Sequence, residues 1–260
     1  MKILKLFFII LFGVLALYSC DEDVSTLDNT SEIACIGFTK EELATVGTLH
    51  NQYVTEVYQK VDFLNCDDCS NEVLEEFSKI DVDLSGTGKT KQELIAEAKS
   101  LYSELEAIQF DLRNWTDHPF TSESFVHLTK IMEEMDAIDN YDDFVSDMNQ
   151  LQAVVNSDAS LNCFDVELLT GTIEVAKNSA YLWLPKNKGG LDFYSISQEG
   201  KVQPRWSGRK AAKADVTASA SYFMGNSVLW ATGLAVPGAN AAILGGWALS
   251  AGISSALAGL

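Results

Sequence analysis

AAILGGWALSAGISSALAGL (residues 241–260) contains no charged residue, and every fourth position from Ala242 is small: Ala242, Gly246, Ser250, Ser254 and Ala258. All 45 residues of 216–260 lack charge, in a chain of 260 residues whose formal net charge is -19. Pro237-Gly238 splits them into two runs of about 20 residues, each about 30 Å long as a helix, close to the apolar thickness of a bilayer. Ala, Gly and Ser keep the hydrophobicity moderate, a composition that suits closely packed helices better than a solitary span. Small residues spaced by four let two backbones approach where lipid provides no hydrophobic drive. The stretch therefore predicts a helical hairpin. Its ridge meets the 216–236 helix or the same helix of a second copy, and Ile243, Trp247, Leu249, Ile253 and Leu257 are left for lipid or for a core.

Just before the hairpin, Lys201, Arg205, Arg209, Lys210 and Lys213 cluster within a basic linker, 186–215. Two destinations suit such a belt. Anionic headgroups attract it at about 1 kcal/mol per basic residue, and so does the rest of the chain, because residues 21–185 carry 34 acidic against 9 basic side chains. An acidic domain of this size repels nucleic-acid phosphates and excludes that class of partner. The charge asymmetry predicts two functional parts, an acidic domain at 38–185 and the tail at 216–260. Weak alternation from Leu191 to Ile196 and a turn at Glu199-Gly200 allow a short hairpin within the linker.

The acidic domain reads as helices. Thr39 with Glu42, and Thr90 with Glu93, are capping boxes. Leu43, Val46, Leu49, Tyr53, Val54, Val57 and Val61 share one face. A short helix follows over about 71–80, then a long one over 91–114 carrying Leu94, Ala98, Leu101, Leu105, Ile108 and Leu112. Asp117-His118-Pro119 breaks it, and three further helices start near Ser122, Tyr141 and Val166 and run to Pro185. The fold class is mainly α: a disulfide-stapled antiparallel bundle, then the basic linker and the Gly/Ala-rich hairpin. SGTGKT (85–90) is not a phosphate loop, since the position of its first glycine is Asp83 and no strand precedes it. His50, His118 and His127 are scattered, and no spacing defines a catalytic set, a metal site or a cofactor. The domain is expected to be non-enzymatic and to bind no nucleotide.

At the other end, Lys2 and Lys5 precede an uninterrupted apolar run from Leu6 to Tyr18, the pattern of a secretory signal over residues 1–19. Leu17-Tyr18-Ser19-Cys20 resembles a bacterial lipobox, which implies acylation of Cys20 and attachment to membrane lipid. Asp21-Glu22-Asp23 then resembles the acidic export signal of surface lipoproteins of the Bacteroidota, implying the outer face of an outer membrane and a linker over 20–37. The remaining cysteines, Cys35, Cys66, Cys69 and Cys163, are an even number and predict two disulfides with three possible connectivities. Cys163 bridges to Cys35 or to the Cys66/Cys69 pair in the pairings that staple the last helix to the start of the domain. The CxxC spacing also admits redox or metal chemistry, but two aspartates between the thiols disfavour the thiolate, and no histidine lies close in sequence to complete a zinc set.

Trp206, Lys210 and Lys213-Ala214-Asp215-Val216-Thr217-Ala218, followed by a Gly/Ala-rich run, resemble the tails of bacteriocin-like proteins of the Bacteroidota. That resemblance implies a membrane-active glycine-zipper hairpin. Two functions follow as expectations: a surface lipoprotein whose hairpin associates with a membrane, with self-association through the ridge open to it, or a soluble binding or structural lipoprotein whose tail is buried against the bundle.

Overall fold

Helix starts follow the caps. Thr39 Oγ1 accepts from the Glu42 backbone N–H (3.1 Å) and Glu42 Oε2 accepts from that of Thr39 (2.8 Å), opening α1 (Lys40–Lys60). The same reciprocal pair between Thr90 and Glu93 opens α3 (Lys91–Ala107). Each box satisfies two N–H groups that a helix start otherwise leaves without partners. Between them lies α2 (Cys69–Lys79); after them come α4 (Ser122–Ala137), α5 (Tyr141–Ser157), α6 (Cys163–Trp183), α7 (Gly208–Gly233) and α8 (Ala239–Ala258), with short 3-10 turns at Leu112–Asn114 and Lys186–Lys188. The computed structural model describes residues 36–258 except 63–64, 67–68, 86, 194–207 and 234–238, with backbone alone over 227–233. No strand occurs among the described residues. The segment 1–35, with the signal sequence, Cys20 and Cys35, lies outside them, as do Lys201, Arg205 and the expected linker hairpin.

The protein is a helical bundle in which Ile33–Leu260 is one compact unit. Four helices make its centre. α1 lies along α6, α6 along α7, α7 along α8, and α8 returns to α1. α2 and α3 cover the other side of α8, while α4 and α5 cover α6. The uncharged hairpin is thus enclosed by the acidic helices. Ile243, Trp247, Leu249, Ile253 and Leu257 belong to the main core. A helix that is apolar all round can be stable only inside lipid or inside protein, and here the protein surrounds it.

Two boundaries differ from expectation. The long helix predicted to reach Asn114 stops at Ala107. Gln109 N–H bonds Glu106 O (2.9 Å) and Phe110 N–H bonds Leu105 O (2.8 Å), the paired bonds of a Schellman stop. Gln109 has φ 57° and Phe110 φ 55°, left-handed values that a glycine ordinarily supplies at helix ends. Phe110 is held there by tertiary contacts. Its ring lies 5.4 Å from that of Tyr102, and its carbonyl accepts from Thr217 Oγ1 at 3.0 Å. Second, the basic linker does not extend to Asp215, because α7 begins at Gly208.

Candidate functional site

The first two turns of α7 carry the last basic residues before the hairpin, and each has a partner elsewhere in the bundle. Lys213 Nζ sits 2.7 Å from Asp111 and 3.1 Å from Asp136. Arg113 grips the same two carboxylates, its Nε 2.8 Å from Asp111 Oδ1. Those contacts hold the Asp111 carboxyl well below the usual carboxylate range, with Arg113 the larger cause and Lys213 the second, against partial burial. Arg209 donates to Ile138 O at 3.0 Å, and the Lys210 ammonium lies 5.3 Å from the centre of the Phe110 ring. Arg209, Lys210 and Lys213, expected to contact lipid headgroups, each have a partner group in the bundle, while Arg209 and Lys210 stay exposed at its surface.

One turn further in, Asp215 is wholly buried. Its Oδ2 accepts from Trp183 Nε1 at 2.8 Å and from the Ser179 hydroxyl, and its Oδ1 lies 3.0 Å from His50 Nε2. That last contact is a close polar approach whose alignment falls short of a good hydrogen bond. His50 Nδ1 lies 2.9 Å from Asn51 Oδ1. The cluster joins α1, α6 and α7 in the core. Although it contains serine, aspartate and histidine, the aspartate stands between the other two, so the imidazole does not reach the serine hydroxyl and the relay for nucleophilic catalysis is missing.

At the far end of the hairpin the ridge is buried along its length: Ala242, Gly246, Ser250, Ser254 and Ala258 are all inside. A Cβ on Gly246 would come within 3.2 Å of Leu94 and 3.3 Å of the Tyr222 hydroxyl, so the ridge admits α3 as well as the expected α7. The strongest fit belongs to a residue beside the ridge. Trp247 donates through Nε1 to Ser219 O (3.0 Å) and Oγ (2.8 Å), and its ring occupies a notch in α6 that exists because residue 171 is glycine.

A separate site lies where the chain enters the bundle. The Glu167 carboxylate accepts from three successive backbone N–H groups, Ile36 (2.8 Å), Gly37 (2.6 Å) and Phe38 (2.9 Å). Burial raises the pKa of Glu167 despite these bonds. Beside it opens a cavity of about 470 Å³ lined by Phe38, Leu43, Gln152, Val166 and Thr170 among others. Cys163, four residues before Glu167, is disulfide-bonded, and Cys66 pairs with Cys69 across a Cα separation of 5.1 Å. The Cys66–Cys69 bond removes that pair as a partner for Cys163. No group of three or more His, Cys, Asp or Glu side chains able to hold a metal occurs among the described residues.

Three residues central to this arrangement were not singled out from sequence: His50, Asp215 as a buried anion, and Glu167. His50 carried a signal, for it lies on the apolar stripe of α1 between Val46 and Val54. His127 is largely buried and lies 2.9 Å from Asp158. No protein-family model, no characterised protein and no solved structure matches the chain.

Proposed function

We propose that this chain is a lipid-anchored, non-enzymatic domain of the outer cell surface, tethered through Cys20, in which the C-terminal hairpin is the hydrophobic core of a binding or structural module. The observation that carries this reading is the burial of α8 by the chain's own helices: 94% of its most apolar 18-residue window is inside the bundle. The basic residues described at the start of α7 support it, since their partners are protein groups. The acidic exterior gives the module a solvated surface and favours basic or neutral partners over anionic ones.

A second reading retains one supporting observation. α8 is 20 residues long with mean hydropathy 1.5, sufficient in length and composition to cross a bilayer, so a hairpin released from the bundle has a membrane available to it. One experiment separates the two. Protein beginning at Asp21, and so without lipid, is mixed with anionic vesicles and floated on a density gradient. The core reading expects a soluble monomer that stays at the bottom, while Cys20→Ala in cells abolishes fatty-acid labelling and membrane attachment. Flotation of the lipid-free monomer, or leakage of vesicle contents, overturns the core reading in favour of the membrane-active hairpin.

A further inference from the structure

We propose that the His50–Asp215 pair is a proton-dependent latch on the C-terminal hairpin: with one proton on the pair α7 is held against α1 and α6, and without it that attachment loosens. The inference does not depend on whether the hairpin is permanent core or a stowed membrane segment.

The proton count follows from donors and acceptors alone. Asn51 Nδ2 donates to Asn178 O at 2.8 Å, which turns the Asn51 oxygen toward His50 Nδ1. An amide oxygen only accepts, so Nδ1 carries a hydrogen. On the other side, the Trp183 indole N–H can only donate, and with Ser179 it occupies Asp215 Oδ2. Oδ1 is left facing His50 Nε2 at 3.0 Å. One proton must lie on that contact. On nitrogen it makes an imidazolium–carboxylate pair, and on oxygen a neutral pair; either way a proton stands between the two buried atoms and no lone pairs are opposed. Remove it, and an imidazole lone pair faces a carboxylate oxygen. Both side chains are 0% exposed, so water cannot compensate. Breaking one member of a buried pair in this way leaves an uncompensated charge, the costly case.

α8, which lies along both α1 and α7, brings no charged residue to the pair. α1 contributes His50 and Asn51, α6 contributes Ser179 and Trp183, and α7 contributes Asp215. Lys213, two residues earlier on α7, is committed to Asp111 and Asp136. Among the charged groups of the described residues Asp215 alone acts on His50. Burial pushes the imidazole down, but the Asp215 charge, its hydrogen bonding and that of Asn51 carry it above its ordinary value. A raised value in the folded state means that the stabilisation is complete below the ordinary imidazole pKa and is lost as pH rises through the folded one. The latch therefore opens toward alkaline pH. Its position matters because residues 216–258 contain no other ion pair that could hold the hairpin.

Hydrogen exchange of the intact chain, read by mass spectrometry from about pH 6 to about pH 9 and corrected for intrinsic base catalysis, tests this across the range where a histidine switch operates. Protection of peptides from 208–226 is expected to fall with pH by up to about tenfold per unit, the limit for one linked proton, while α5 stays level. His50→Gln is expected to flatten the profile of 208–226. Should that variant fail to fold, imidazole nitrogen NMR of the unaltered protein is expected to show the His50–Asp215 proton titrating above the ordinary histidine value. Equal pH profiles for α5 and α7, or a His50 ring that releases its second proton below pH 6, overturn the proposal. A slope that persists in folded His50→Gln protein does so as well.

Discussion

Gly171→Ala turns the placement of α8 into a sign. On an exposed helix, replacing glycine by alanine stabilises by about 1 kcal/mol, because alanine loses less backbone freedom and propagates the helix better. At position 171 the added Cβ would stand 2.0 Å from Cη2 of Trp247, and 2.6 and 2.8 Å from its neighbours on the ring. To restore ordinary contact the indole must shift by roughly 1 Å or more. It has nowhere to go: the ring is wholly buried, its N–H is fixed to Ser219, and the Phe223 ring lies 4.5 Å away. Overpacking of this kind costs about 1–3 kcal/mol, and a displaced indole N–H adds about 1 kcal/mol. Set against the propensity gain, the net is a destabilisation of about 2 kcal/mol. Gly225 on α7 supplies the control, since a Cβ there meets nothing within 4 Å; Gly225→Ala should stabilise by up to about 1 kcal/mol. Urea unfolding of both variants followed by circular dichroism makes the comparison, and Trp247→Leu should relieve much of the Gly171→Ala loss. If Gly171→Ala stabilises as much as Gly225→Ala, the indole is not in that notch and the hairpin is not the core.

Two further outcomes are expected. Alkylation of the mature protein without reductant should find no free thiol, with Cys66 linked to Cys69 and Cys163 linked to Cys35, because the Ile36 N–H is held by Glu167 one turn from Cys163; an alkylated Cys163 refutes the pairing. Lys213→Met should cost about 1 kcal/mol near pH 7, a figure discounted for the partial exposure of its partners. That deficit should shrink below about pH 4, because Asp111 and Asp136 are depressed carboxylates whose stabilisation is present above their unfolded values and disappears as pH falls through the folded ones. Urea midpoints at neutral and acid pH check it, and a deficit constant across pH contradicts it.

What the sequence made legible was local. The capping boxes at Thr39 and Thr90, the stripes of α1 and α3 to α6, and the division of the uncharged stretch into two helices each depend on residues within one or two turns, so a reader of the chain can find them. The stop after Ala107 was not legible, since Gln109 and Phe110 are poor left-handed residues that stay there only because Thr217 and Tyr102 hold Phe110 from elsewhere in the fold. His50 shows the intermediate case. A histidine on an apolar stripe asks for a buried partner, but that partner, Asp215, lies in a stretch whose neighbours are all basic or uncharged, where an anion reads as part of a linker. Glu167 was hidden for the same reason, among many carboxylates whose place is the surface.

The charge asymmetry itself acquires a different meaning in the folded chain. An acidic domain followed by an uncharged tail suggests two parts with two tasks, yet α8 lies against α1, α2, α3 and α7. Helices with one polar face need an apolar centre, and a helix with no polar face needs cover on every side. The acidic segments and the tail meet both needs at once. The asymmetry along the sequence is thus a radial one in space, with carboxylates outside and Ala, Gly, Ser and Trp within. The basic residues at the boundary then have a structural task. Arg209, Lys210 and Lys213 secure the point at which the chain passes from the outside layer to the centre, and Asp215, the last charge before the hairpin, is carried inside only because His50, Ser179 and Trp183 are there to receive it. A hairpin with the same composition but without that reception would have to leave an unpaired carboxylate in the core, a cost of several kcal/mol, or stay outside the bundle. Which of the two states a small-residue hairpin adopts is therefore decided less by its own hydrophobicity than by the few polar contacts at its entrance.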